Sequence, residues 1–380
     1  MLNFFKIFIF WIGFLVDTIF FKKKYFGKLL INYLVKRKLK SKIYNMNIYY
    51  NQSKEWTDFF LKANPKHHNI ITIEHNGFKI FVYEYPYVGN SKFWYLPRFM
   101  IYNQDFERND YIANSNEILK LINQKAKDNK ISYITIDLDN RLLELCGYSS
   151  SLEFGLPFKK GNKKLQYLQT PILDVQNLEG QEGMTVQECF KYNEKNFFGK
   201  VNKTCRNLTR RALEKNWEYE VTKDSKSFEQ FWSIWQNTAK RHSFNLHPKQ
   251  YILDLLTYNW AQLIVLKDDS GIIQSGGIIV TIGNSTIHLY GANTDEGLNK
   301  GSQYFFHVLV LKLIKEKQIK GQEIITYDLG GSDDDGYGNF KKSYKPDYLT
   351  FDGPYDIIND KLKVTIINSL KKVKKLIKST

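Results

Sequence analysis

The chain has 380 residues, 43% of them hydrophobic and 16% aromatic, enough to build real cores over about two domains, so it is not a disordered or low-complexity chain. Its net charge of +16 sits at the ends: residues 1–44 hold ten Lys/Arg against Asp17, residues 360–380 hold seven Lys against Asp360, and a surplus of one is left between. A nearly neutral body argues against a protein that wraps nucleic acid over its whole surface, while basic ends suit an anionic membrane. The three scattered cysteines, Cys146, Cys189 and Cys205, form no metal or disulfide pattern and fit a reducing cytoplasm. Neither the adjacent His67 and His68 nor the pair His242 and His247 has a zinc spacing, so no metal is expected.

From the N-terminus, residues 7–21 read IFIFWIGFLVDTIFF, apolar except for Asp17 and flanked by Lys6 and by Lys22, Lys23 and Lys24. The run is shorter than the roughly 18 to 20 residues of a bilayer span, and no small-residue cleavage site follows it. Spanning at a tilt or lying flat, it is expected to attach the chain to the membrane, and the lysines behind it keep the body in the cytoplasm. The bland alternative is a helix packed on the protein's own core.

Residues 69–137 predict a hairpin, a strand, a helix and a strand: IITIEH turns at Asn76-Gly77 into FKIFVYEY, and FWYLPRFMI, NEILKLINQKAKD and YITIDL follow. Residues 262–328 repeat that order, with QLIVLK, a turn at Ser270-Gly271, IIQSGGIIVTI, STIHLYGA, the apolar helix QYFFHVLVLKLIKEK and EIITYDL. The duplication predicts two tandem α/β (α+β) units, each a mixed, largely antiparallel sheet flanked by helices, with a cleft between them for a large substrate. The expected division is 1–44 membrane-associating segment, 45–178 first domain, 179–359 second domain and 360–380 basic amphipathic tail.

Between the copies, VNKTCRNLTRRALEK (201–215) puts Val201, Cys205, Leu208 and Ala212 on one helical stripe. Lys203, Arg206, Arg210 and Arg211 lie away from it, and residues 191–215 carry eight Lys/Arg against two Glu. Arginines suit bidentate phosphate contacts, although most charged helix faces are merely solvated. The stretch Gly297-Leu298-Asn299-Lys300-Gly301-Ser302 before the second copy's helix is a weak phosphate-loop pattern, more often a loop and cap.

The segment YDLGGSDDDGYGNFKK (327–342) ends an apolar strand in an acidic, glycine-rich loop and then delivers Phe340-Lys341. Its aspartates are consecutive rather than alternate, which excludes a calcium loop. The glycines alone need mean no more than tight turns. In the tail, Ile366, Ile367, Leu370, Val373, Leu376 and Ile377 recur at helical spacing among lysines.

The succession LQTPILDV, KTCRNLTRRALEKNWEYEV, FWSIWQNTAKRHSF, IHLYGAN, YDLGG and FKKSYKPDYLTFDGPYD resembles the FemABX family of non-ribosomal peptidyl transferases, over residues 46–360. The resemblance implies two tandem acetyltransferase-like (GNAT-like) domains and transfer of an amino acid to the stem-peptide amine of a peptidoglycan precursor, lipid II or the UDP-muropeptide. Aminoacyl-tRNA would be the co-substrate, with no other cofactor, at the cytoplasmic face of the plasma membrane. It implies Lys341 and Asp137 as catalytic residues. Phe340, Tyr95, Arg98, Tyr290, Gly330, Gly331 and the basic-helix residues Lys203, Arg206, Arg210 and Arg211 would bind substrate. The chain departs from the family's pattern at Leu138, where proline often follows the acid, and at Phe99, which replaces a glycine of the YxPRGP segment. No coiled-coil arm fits between Lys215 and the next strand. Competing expectations are an aminoacyl or acyl-CoA-dependent transfer to a membrane lipid or other amine, and a non-catalytic membrane-tethered binding module.

Overall fold

The computed structural model describes residues 49–64, 69–101, 107–161, 165–331 and 336–369. The apolar segment 7–21 with its basic flank, His67 and His68, the run Asp333, Asp334 and Asp335, and the tail beyond residue 369 lie outside the described residues. No helix among the described residues is long and apolar enough to cross a membrane.

The first half starts with α1 (Lys54–Ala63), whose N-terminus is capped by the Ser53 side chain accepting the Trp56 N–H. Strands β1 (Asn69–His75) and β2 (Phe78–Pro86) form the predicted hairpin. Asn76 and Gly77, at φ 45° and 80°, supply the left-handed pair that such a turn requires. Next come β3 (Lys92–Phe99), the crossover helix α2 (Arg108–Asp128) and β4 (Tyr133–Asp139), which runs parallel to β3. The short α3 (Asn140–Cys146), β5 (Phe158–Lys160) and β6 (Gln169–Asp174) follow.

The second half opens with α4 (Val186–Asn193), α5 (Lys203–Leu213), β7 (Glu218–Thr222), α6 (Ser225–His242) and α7 (Lys249–Leu256). Then the first half's order returns. The hairpin of β8 (Ala261–Lys267) and β9 (Ile273–Ile282) turns through Gly271 at φ 72°. After it come β10 (Ser285–Asn293), the short α8 (Asp295–Asn299), the crossover α9 (Ser302–Ile319) and β11 (Thr326–Asp328), parallel to β10. Helix α10 (Gly336–Ser343) and β12 (Asp347–Ile358) complete the described body, and a helical segment covers 361–369.

The chain is thus α/β, two units of like element order whose mixed sheets are flanked by helices. No coiled-coil arm occurs among the described residues, where Leu213 leads through a short turn into β7. The sheets join edge to edge in the order β1-β2-β3-β4-β12-β6-β11-β10-β9-β8-β7, with β5 on β12. The join is an exchange. Strand β6, which follows β4 in the chain, pairs antiparallel with β11, while β12, which follows β11, pairs antiparallel with β4 and with β6.

Each half has its own core, around Trp94, Ile118 and Leu142 in the first and Phe198, Phe305 and Leu309 in the second. A third core unites them, setting Trp56, Phe59, Tyr83 and Tyr95 against Phe231, Trp235, Tyr251 and Ile252. Burying side chains of this size contributes about 2 to 3 kcal/mol each, so the halves are welded by apolar packing as well as by strand pairing. Helix α9 is buried over most of its circumference, which explains why its sequence is apolar almost throughout.

Candidate active site

Parallel pairing of β10 with β11 spans only Ser285–Ile287 against Thr326–Asp328, and a bulge between His288 and Tyr290 bends β10 beyond it. Where β11 ends, Lys341 arrives from α10. It stands on a helix. Its Nζ donates to the Gly330 carbonyl at 2.9 Å and to the Gly331 carbonyl at 2.8 Å, which fixes a half-buried ammonium at the strand end. Both glycines are required. Gly330, at φ 83°, lies so close to β10 that a Cβ would stand 2.7 Å from the His288 carbonyl oxygen. A Cβ on Gly331 would be 2.0 Å from the Tyr167 ring. Phe340 packs beside them on Tyr304, His307 and Tyr344, with ring centroids 5.1, 5.4 and 5.5 Å away.

Beneath this turn is a carboxylate that the sequence patterns do not single out. Asp328, 1% exposed, accepts hydrogen bonds from the Thr170 hydroxyl, from the Gly330 N–H at 2.7 Å and from the Tyr49 hydroxyl at 3.3 Å. Burial raises its pKa, opposed by the Thr170 and Gly330 hydrogen bonds and by the charges of Lys341 and Arg98. The signal was present in the repeat, since both copies end in Asp-Leu, Asp137-Leu138 and Asp328-Leu329.

Asp137 occupies the matching place in β4. It is 1% exposed; one carboxylate oxygen accepts the Tyr95 hydroxyl, and the other is buried with no hydrogen-bond partner among the described residues. Burial raises its pKa, with the Tyr95 hydrogen bond and the Arg98 charge pulling the other way. Arg98 lies at the β3 bulge with φ 51° and is 3% exposed. Its Nε donates to Gln166 Oε1 at 3.0 Å, and the guanidinium stacks 3.6 Å from the centre of the Phe351 ring on β12. The structure thus brings Tyr95, Arg98 and Asp137 of the first half into one charged group with Asp328. From Asp328 the hydrogen bonds lead through Gly330 to Lys341.

No family model matches the chain, and no curated protein does. Among solved structures, FemX superposes at a TM-score of 0.64 and 16% identity, over 87% of this chain and 98% of FemX. The chain has the FemX fold. L-PGS from Bacillus licheniformis (TM-score 0.47, 13% identity, 83% of this chain and 95% of that one) is a looser likeness. So is a tandem GNAT protein from the clavulanic acid biosynthesis pathway (0.43, 9%, 80% and 86%), and the likeness of fold rests on FemX.

Within the FemX fold, Tyr290 follows the β10 bulge and lines the junction of the halves, 4.7 Å from Trp235 and 6.0 Å from His247 between ring centroids. The basic helix α5 abuts the end of α10, the Asn202 N–H before it donating to the Ser343 carbonyl at 3.0 Å, and its arginines differ from one another. Arg206 Nη1 donates to the Phe198 and Gly199 carbonyls at 3.0 and 3.2 Å, and Arg210 is paired with Glu194 at 2.5 Å. Lys203 and Arg211 are exposed on the same helix. The 297–302 pattern forms α8 and the start of α9: Lys300 pairs with Glu296 at 2.7 Å, and Gly297 is pressed on the Gln274 carbonyl. That segment is therefore a packed turn with an engaged lysine. Among the described residues no three His, Cys, Asp or Glu side chains cluster to hold a metal ion.

Proposed function

We propose that the protein is an acyltransferase that moves an amino acid from aminoacyl-tRNA to the stem-peptide amine of a peptidoglycan precursor, lipid II or the UDP-muropeptide. The observation that carries this reading is Lys341, a fixed positive charge held by two carbonyls where β10 and β11 part, in a chain with the FemX fold. Aminolysis of an ester proceeds through a tetrahedral oxyanion, which a preorganised cation stabilises. The amine nitrogen bonds to the ester carbonyl carbon, the bond from that carbon to the ribose oxygen breaks, and the amine's proton passes to the departing oxygen. Lys341 faces the oxyanion in this scheme, and Asp137, reached past Tyr95, orients the amine. Phe340 and Tyr290 supply walls, and Lys203 and Arg211 meet phosphates of the tRNA.

The proposed setting is the anionic cytoplasmic face of the plasma membrane, where lipid II is presented, and the basic residues in 1–44 and 360–380 support it. The test is mass spectrometry of lipid II and the UDP-muropeptide after incubation with the purified protein, total tRNA, amino acids and their synthetases. A ribonuclease-sensitive mass increment, lost in Lys341→Ala, is the expected result. No increment on either acceptor, beside an active control enzyme, overturns the reading.

A further inference from the structure

Asp328 lies beneath the turn that carries Lys341, and it determines where that lysine can stand. One of its oxygens accepts the Gly330 N–H at 2.7 Å and the Thr170 hydroxyl, and its other oxygen accepts the Tyr49 hydroxyl. The Gly330 carbonyl, on the far side of the same residue, accepts Lys341 Nζ at 2.9 Å. The turn itself has little freedom: residue 330 is left-handed, and it lies against the His288 carbonyl, where a side chain would collide. The anchors come from distant parts of the chain. Thr170 is on β6, the exchanged strand, and Tyr49 precedes α1, so the first half supplies both hydroxyls that hold a carboxylate of the second.

We propose that Asp328 is the positioning residue of the site, holding the Gly330 turn so that two carbonyls aim Lys341 at the reacting carbonyl group. The place needs a side-chain oxygen that accepts two donors at once, and the carboxylate supplies it while buried beside Arg98, whose charge acts on both Asp328 and Asp137. A misplacement near 1 Å at a catalytic group lowers rate by about 100-fold, which is the scale of effect expected from loosening the turn. The inference rests on the functional reading above for what Lys341 does, but not for where it is held.

The test therefore has two readouts. Trace labelling with acetic anhydride, quantified by mass spectrometry against the other lysines, reports how firmly the Lys341 amine is engaged. The aminoacyl-transfer assay reports its use. In Asp328→Ala the relative labelling of Lys341 is expected to rise several-fold, and kcat to fall about 100-fold with KM for the acceptor changed by less than about threefold. Asp328→Asn, which keeps an acceptor for Gly330 and Thr170, is expected to return labelling to within about twofold of wild type. If Asp328→Ala does not fold, Thr170→Val removes one anchor without touching the turn, and labelling should still rise about twofold. Unchanged Lys341 labelling in whichever of these variants folds overturns the positioning role, whatever the transfer assay gives. A rise in labelling in a protein whose wild type transfers nothing leaves the positioning role standing and removes the functional reading.

Discussion

At the scale of single residues, the site depends on glycines that cannot be replaced and on a lysine whose reach is fixed. Lys341→Ala should lower turnover by about 100- to 1,000-fold, and Lys341→Arg should restore little, because a larger guanidinium with its charge spread over a plane does not take the place of a compact ammonium held by carbonyls at 2.9 and 2.8 Å; steady-state kinetics decide both. Gly331→Ala, which meets the Tyr167 ring at 2.0 Å, should lose about 2 to 3 kcal/mol in urea unfolding. Gly77→Ala, in the open hairpin turn at φ 80°, should lose only about 1 kcal/mol. Two histidines, the buried His307 and the half-buried His288, add a pH dependence. Burial and then the Lys341 charge push His288 down to about 3, and burial, His288 and Lys341 push His307 well below its usual value. A folded pKa below the ordinary 6.5 means that this stability is fully present above pH 6.5 and is lost as pH falls toward 3. Going from pH 7 to pH 5 should cost about 1 to 2 kcal/mol for His288, and His288→Asn should lose correspondingly less over the same range. Lys341 and its glycines were legible in the sequence because they are neighbours along the chain. Asp328 was legible only as the repeat's counterpart of Asp137; its role was not, because Thr170 and Tyr49, which reveal it, are far away in sequence and meet it only in the fold.

At the scale of elements, periodicity and turn chemistry found both hairpins, both crossover helices and the strands they join. Helix α5 shows the limit of that reading. Of the stripe that the spacing predicts, Cys205 and Ala212 are buried on the helix and Val201 just before it, but Leu208 is half-buried and its neighbour Thr209 is buried instead. Its four basic residues looked equivalent in sequence, however, and they are not. Arg206 and Arg210 are engaged by carbonyls and by Glu194 that the pattern of the helix itself cannot show. Arg206→Ala should therefore destabilise the fold by about 1 kcal/mol in chemical unfolding. Lys203→Glu with Arg211→Glu should leave stability unchanged and raise KM for aminoacyl-tRNA about tenfold, with a weaker dependence on salt. If the doubly reversed helix shows an unaltered KM, α5 does not meet the tRNA. Lys341 gives the other instance: Asn339-Phe340-Lys341-Lys342-Ser343 has no strong period, and only the packing of Phe340 on Tyr304, His307 and Tyr344 reveals a helix.

At the scale of the whole molecule, the duplication was legible and the joining of its halves was not, since alternation identifies a strand but never its partner. The exchange of β6 and β12, together with the shared aromatic core, predicts a single cooperative transition in thermal unfolding monitored by fluorescence and by circular dichroism. Two separated transitions would show that the halves are independent. The exchange also has a consequence for synthesis on the ribosome. The partner that covers β4 is β12, residues 347–358, so the first half leaves the exit tunnel with an uncovered strand edge and keeps it until nearly all of the described body has been made. During that interval β4 is open to any extended chain nearby, including a second copy on the same polysome. Early termination before residue 347 would therefore leave a sticky product as well as an inactive one.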